Sequence, residues 1–187
     1  MPETGDDHIL MQKVRDGDLA KMAVLFERHH RALFRYFVRL TGNRAFSEDL
    51  VQDVYFRMLK YRHTYREGSP FTSWMYQVAR NAHHDGAQKR RGEAPWLEEN
   101  MQEPASAEPD PSEIMGRHQN VGLLRRALAA LPAEKREVLV LSRFQDLKYE
   151  QIADIMSCDV GTVKVRVYRA IKALSQIFFE LAGEKAS

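Results

Sequence analysis

Between residues 92 and 111 the chain places Pro95, Pro104, Pro109 and Pro111 in a stretch with little apolar periodicity. Proline fixes φ and removes a backbone donor, so neither a helix nor a sheet ladder runs through such a segment. It reads as an extended or disordered tether, and it divides the 187 residues into two stretches, each long enough for one small domain. Charge divides at the same place. Over 92–119, Glu93, Glu98, Glu99, Glu103, Glu108, Asp110 and Glu113 face a single basic residue, Arg117, so the formal net charge of +2 averages basic blocks against an acidic connector.

Both flanking stretches carry helical signals, and nothing in them reads as a strand. Residues 1–7 are polar and read as a frayed end, followed by a short helix over 9–16 that the Gly17-Asp18 pair breaks and caps. Over 19–40, Met22, Leu25, Phe26, Leu33, Phe34, Phe37 and Leu40 keep a helical rhythm until Thr41-Gly42-Asn43, where Gly42 supplies the left-handed residue that ends a helix. Ser47 reads as the cap of a third helix whose first turn carries Glu48 and Asp49, with Leu50, Val51, Val54, Tyr55, Met58 and Leu59 inward and Asp49, Gln52, Asp53 and Arg57 outward. A loop over 62–70 precedes a fourth helix over 71–91. Beyond the tether, helix resumes over 114–131, and Pro132 opens the next one. The apolar run Val138 to Leu141 is too short to separate strand from buried helix by itself, but it lies inside a helical pattern. The expected fold class is all-α: two small helical domains, 9–91 and 114–180, joined by a flexible acidic linker over 92–113.

Residues 149–174, YEQIADIMSCDVGTVKVRVYRAIKAL, read as two helices meeting at a tight turn. Ile152, Ile155 and Met156 recur at helical spacing, and Val163, Val167, Ile171 and Leu174 resume it after SCD. Ala153 permits close approach, and Asp159 offers an oxygen to cap the second helix. Placed at 3.6 residues per turn, Val163, Val167, Ala170, Ile171 and Leu174 share one side of that helix. Val165, Tyr168, Arg169 and Lys172 share the other, with Lys164 and Arg166 at the flanks. Such a face suits the DNA major groove: Arg169 to read a guanine edge, Val165 to touch a thymine methyl, and Lys164, Arg166 and Lys172 to neutralise phosphates. Thr162 and Tyr168 complete this candidate set. The same pattern also fits an amphipathic core helix whose charged side is simply solvated.

In the N-terminal stretch, Trp74, Tyr76, Arg80, Asn81, Lys89, Arg90 and Arg91 place aromatic and basic groups on one helix beside a Tyr- and Arg-containing loop. Aromatic faces and cations together hold unstacked bases and track a single strand. Trp74 itself fits a core position better, leaving Asn81, His63, Tyr65 and Arg66 as the polar readers.

Catalytic and metal-binding classes find little support. Glu27 and His30 form a Glu-x-x-His pair, but the second copy and the further glutamates of a di-iron bundle are missing. His29-His30 and His83-His84 are adjacent, so their side chains diverge by about 100° on a helix. No P-loop, HExxH or nucleophile elbow occurs. Cys158 is the only cysteine, which excludes an intramolecular disulfide and a CxxC site and suits a packed position at the bend. The first residues lack a signal-peptide pattern, and no apolar run approaches the ~20 residues that span a bilayer, so a cytoplasmic protein with no cofactor and no membrane insertion is expected.

The run GTVKVRVYRAIKAL, preceded by YEQIADIM and LPAEKREVLVLSRFQDL, resembles the C-terminal promoter-binding domain of bacterial extracytoplasmic-function (ECF) sigma factors, members of the sigma-70 family. The resemblance implies that Thr162, Lys164, Val165, Arg166, Tyr168, Arg169 and Lys172 read the upstream −35 element as double-stranded DNA. Ser157 departs from the family's frequent Gly at the turn, and Val165 from its frequent small polar residue. EDLVQDVYFRML resembles the family segment that docks on the clamp coiled coil of the largest subunit of RNA polymerase core, which would turn Asp49, Gln52 and Asp53 toward polymerase. FTSWMYQVARNAHHDGAQKRR resembles the segment that melts the −10 element. By that likeness Asn81 and the loop hold a flipped base, and His63, Tyr65, Arg66, Arg80, Lys89 and Arg90 contact the melted single strand. An anti-sigma factor is a further implied partner. A stand-alone helix-turn-helix regulator with a dimerising or sensing bundle, and a conditionally sequestered adaptor, are the alternatives from other classes.

Overall fold

Helices are the regular elements throughout the computed structural model, which describes residues 4–90, 111–145 and 147–184. The N-terminal half contains α1 (Thr4–Arg15), α2 (Lys21–Thr41), α3 (Arg44–Lys60), a 3-10 turn (Arg62–Thr64) and α4 (Phe71–Lys89). The C-terminal half contains α5 (Pro111–Ala130), α6 (Ala133–Phe144), α7 (Tyr149–Met156) and α8 (Val160–Glu184). The fold is all-α with two helical domains, as expected. Most of the expected linker, 92–113, lies outside the described residues, and helix α5 already begins at Pro111.

Two helix starts differ from the sequence expectation. Helix α1 begins at Thr4, inside the stretch expected to fray, because Asp7 is only 3% exposed and accepts from Arg28 Nη1 and His29 Nε2 of α2, each at 2.8 Å. A carboxylate paired twice in the interior is an anchor, and Met11 and Val14 follow it into the core. Helix α3 begins at Arg44, three residues before Ser47. Its cap is Asn43, whose Oδ1 accepts from Phe46 N at 2.7 Å. Ser47 is instead buried within the first turn and donates to Asn43 O at 2.6 Å. Glu48 and Asp49 therefore lie beyond the first turn, where the helix dipole gives them little. Gly42 ends α2 as expected, with φ 67° and its N–H bonded to Val38 O at 2.9 Å.

The core runs through both halves. Leu25, Leu33, Tyr36 and Phe37 of α2, Val54 and Met58 of α3 and Phe71 and Met75 of α4 are buried together with α1. Phe26, expected among the inward residues, lies at the margin with its ring stacked on His30 at 4.8 Å. In the second half, Val138, Leu139, Val140 and Leu141 of α6 are all buried, which a helix achieves only when covered on opposite sides. Helix α8 covers one side and α2 the other.

Polar contacts knit the same seam. Arg136 donates to Leu128 O and Leu131 O at 2.9 Å, to Ala129 O, and to Leu40 O at 2.6 Å, so one guanidinium serves the last carbonyls of α5 and of α2. A cation at two helix C-termini satisfies orphan acceptors and complements both dipoles. Tyr76 Oη donates to Gln145 Oε1 at 2.5 Å, Gln151 Nε2 donates to Thr72 Oγ1 at 3.1 Å, Arg80 Nε lies 3.2 Å from a Glu137 carboxylate oxygen, and Arg39 covers the Phe144 ring at 4.5 Å.

Candidate nucleic-acid interface

Helices α7 and α8 form the helix-turn-helix. Ser157 takes the left-handed conformation at φ 51°, and Cys158 N donates to Ala153 O at 3.0 Å to close the turn. Among the described residues Ser157 is the non-glycine with positive φ. Asp159 then caps α8: Oδ1 accepts from Thr162 N at 2.8 Å and Oδ2 from the Thr162 hydroxyl at 2.6 Å. Those bonds hold the Asp159 carboxyl below its ordinary pKa. Cys158 is partly buried against the core, at the bend where the sequence placed it.

On α8, Val163, Val167 and Ala170 are buried while Lys164, Val165, Arg166, Tyr168, Arg169 and Lys172 are exposed, Tyr168 at 69% and Val165 at 48%. The outer face thus carries the side chains expected there. Thr162 differs, since its hydroxyl proton is committed to Asp159. Ile171 is 37% exposed and Leu174 half-buried, so the inward stripe narrows beyond Ala170 as α8 runs past α7.

On the N-terminal half, α3 and α4 border an open concavity of about 490 Å³ lined by Arg57, Tyr61, Arg80, Asn81, His84 and Asp85. Tyr61 and the guanidinium planes offer stacking surfaces, and the Asn81 amide offers a donor and an acceptor for a base edge. Arg80 and Asn81 were legible in the sequence. Arg57, Tyr61, His84 and Asp85 join them only in the fold, although 57 and 61, like 80 and 84, are one helical turn apart. Arg80 is shared with Glu137, whose carboxyl pKa is raised because it is buried, an effect that Arg80 partly offsets.

The other expected single-strand contacts do not share this site. His63, Arg66 and Lys89 are exposed on the loop and at the end of α4. Arg90 covers the Phe46 ring at 4.0 Å and comes within 4.0 Å of Asp49. Tyr65 is a correction: it is 1% exposed, packs edge-on against Trp74 at 5.1 Å, and donates its hydroxyl to Ser69 O at 2.9 Å. A phenol has one proton, so His8 Nδ1, 2.7 Å away, is the donor to its oxygen. Burial pushes the phenol pKa up to about 12. Tyr65 holds the loop in place and is not available to a base.

Asp49 and Gln52 are exposed on α3, and Asp53 accepts from Arg57 Nε at 2.9 Å. Phe56, 65% exposed one turn further along this face, adds an aromatic outside the expected docking set. Among the described residues no cluster of His, Cys, Asp or Glu could hold a metal, and His29 and His30 bond to Asp7 and to Phe26 O. No described helix is long and apolar enough to cross a membrane.

Comparison with known proteins supplies the family. Residues 25–93 match the profile of Sigma-70 region 2, and residues 122–174 that of Sigma-70, region 4. The chain is 31% identical to the RNA polymerase sigma factor CarQ of Myxococcus xanthus, over 94% of this chain and 99% of that one. It is 30% identical to the ECF RNA polymerase sigma factor EcfG of Rhodopseudomonas palustris, over 79% and 80%. Among solved structures, CnrH in complex with the cytosolic domain of CnrY superposes with a TM-score of 0.71 at 20% identity, covering 93% of this chain and 97% of that one. RpoE of Bartonella quintana, in complex with the anti-sigma factor NepR, gives 0.67 at 24%, covering 83% and 94%. At these identities the two structures speak for the fold alone. The two profile matches in order, with relatives 30–31% identical over most of the chain, place it in the ECF class of the sigma-70 family of RNA polymerase sigma factors.

Proposed function

We propose that the two helical units, 9–91 and 114–180, engage a promoter at separate places while the first is fastened to RNA polymerase core. The observation that carries this is the pairing of an outward basic and aromatic face on α8 with a concavity that offers stacking and base-edge groups on α3 and α4. In this account Arg169 reads a −35 base edge in the major groove, Val165 contacts a thymine methyl, and Lys164, Arg166 and Lys172 take phosphates, with Tyr168 beside them. Asn81 and Arg80 receive an extruded −10 base, and His63, Arg66, Lys89 and Arg90 follow the single-strand backbone. Unstacking costs a few kcal/mol, which capture in the concavity offsets. Asp49, Gln52 and Asp53 face the clamp coiled coil of the largest polymerase subunit. The linker between the units lets both bind at once and so raises avidity. Binding by an anti-sigma factor belongs to the proposal on the family resemblance.

Docking is tested by co-purification with core polymerase. The Gln52→Ala, Asp53→Ala double variant is expected to bind core at least about tenfold more weakly, a loss of ~1.4 kcal/mol, with an unchanged thermal midpoint. Undiminished binding contradicts the docking assignment.

A further inference from the structure

The concavity and the face turned toward polymerase share one side chain. Arg57 leaves α3 between them. Its Nε donates to Asp53 Oδ2 at 2.9 Å, one turn back on its own helix, and its Nη1 donates to Asp85 Oδ2 at 2.6 Å on α4. A solvated i,i+4 pair accounts for the first bond but not for a second carboxylate from another helix, nor for the place of Arg57 in the wall of the concavity beside Asn81 and Arg80. Burial alone lowers the affinity of the guanidinium for its proton, yet the bonds it donates to Asp85 and Asp53 outweigh it. The fork is planar and rigid, so holding both carboxylates fixes its plane, which a lysine ammonium cannot do. Two of its five N–H donors serve these bonds, and a guanidinium so placed has others to offer a base or a phosphate.

We propose that Arg57 is a positioning residue that couples polymerase docking to base capture, a role that rests on the docking and capture sites proposed above. In the free chain Asp53 draws the Nε edge of Arg57 toward the docking face. When a cation on polymerase takes the Asp53 carboxylate, that hold weakens, and the guanidinium turns about its Asp85 bond toward a nucleotide in the concavity. Docking then strengthens capture of the single strand. By linkage the single strand strengthens docking by the same factor.

Core affinity is therefore measured with and without a saturating single-stranded oligonucleotide of about 12 nucleotides, carrying the melted-strand sequence of a promoter from which the wild-type holoenzyme initiates. Contacts made by polymerase itself are common to all variants, so differences between variants report on this chain. The oligonucleotide is expected to tighten core binding by the wild type at least about fivefold more than by Arg57→Lys, while Arg57→Lys without DNA stays within about twofold of wild type. If Arg57→Lys does not fold, as judged by helicity and thermal midpoint, Asp85→Asn removes the second arm at an exposed position and carries the same expectation. Equal tightening in wild type and variant overturns the coupling role. So does a large loss of core affinity in the variant without DNA, which makes Arg57 a docking contact. Failure of the wild type to bind core at all defeats the docking site itself, and the coupling with it.

Discussion

His83 sits on α4 with its ring 6.5 Å from that of Phe37. Burial first, then Arg136 and His84, push its pKa down to about 4. The unfolded chain binds a proton there near the ordinary value of 6.5 and the native chain does not, so His83 lowers stability as pH falls from about 6.5 to about 4, by up to ~3 kcal/mol. Glu137 works in the opposite direction, because its raised pKa lets the native chain take a proton before the unfolded one does. The prediction is accordingly a difference: His83→Gln flattens the acid limb of the stability profile relative to wild type, as measured by denaturant melts across that range. Ser157 makes a second prediction. Its left-handed backbone costs an L-residue about 1–2 kcal/mol, so Ser157→Gly should raise the thermal midpoint by roughly 2–4 °C per kcal/mol recovered. The turn was legible because SCD interrupts two periodic runs. Tyr65 was not, because nothing in its spacing shows that Trp74 and His8 close over it.

At the scale of the element, periodicity sufficed wherever one helix face meets one core, as on α3 and over the first turns of α8. It failed at starts. Asn43 and Ser47 are both competent caps four residues apart, and the choice fell to Asn43 because Thr41 and Asn43 claim the Ser47 hydroxyl inside the fold. Asp159 had no such rival and caps where expected. The outer face of α8 is the element on which promoter choice depends in this account. Arg169→Ala should relax preference at one upstream base pair by ~1–3 kcal/mol in a binding-site selection and leave the other positions as they were. Lys172→Ala should weaken binding evenly across sequences and reduce its salt dependence. An unchanged preference after Arg169→Ala removes that residue from the reading set.

Across the whole molecule, the division into two helical units was legible from the prolines and the charge, but the seam between the units was not. The side chains that make it, Arg80, Arg136, Glu137, Gln145 and Gln151, are of the kinds that pattern assigns to solvent, and only tertiary packing brings them to a carbonyl, to hydroxyls and to opposite charges in the other half. The concavity was not legible for the same reason, since α3 and α4 each supply part of it. The seam also fixes what promoter engagement must do to the chain: Arg80 bonds to Glu137 in this arrangement, so a base that claims Arg80 competes with a contact between the units. Run-off transcription with purified core polymerase, over a library of promoter sequences, tests the account most directly. It predicts core-dependent initiation at templates sharing two spaced elements, with Asn81→Ala impairing opening and Arg169→Ala altering only the upstream preference. Absence of initiation from every template, with the chain folded and core active, would contradict it.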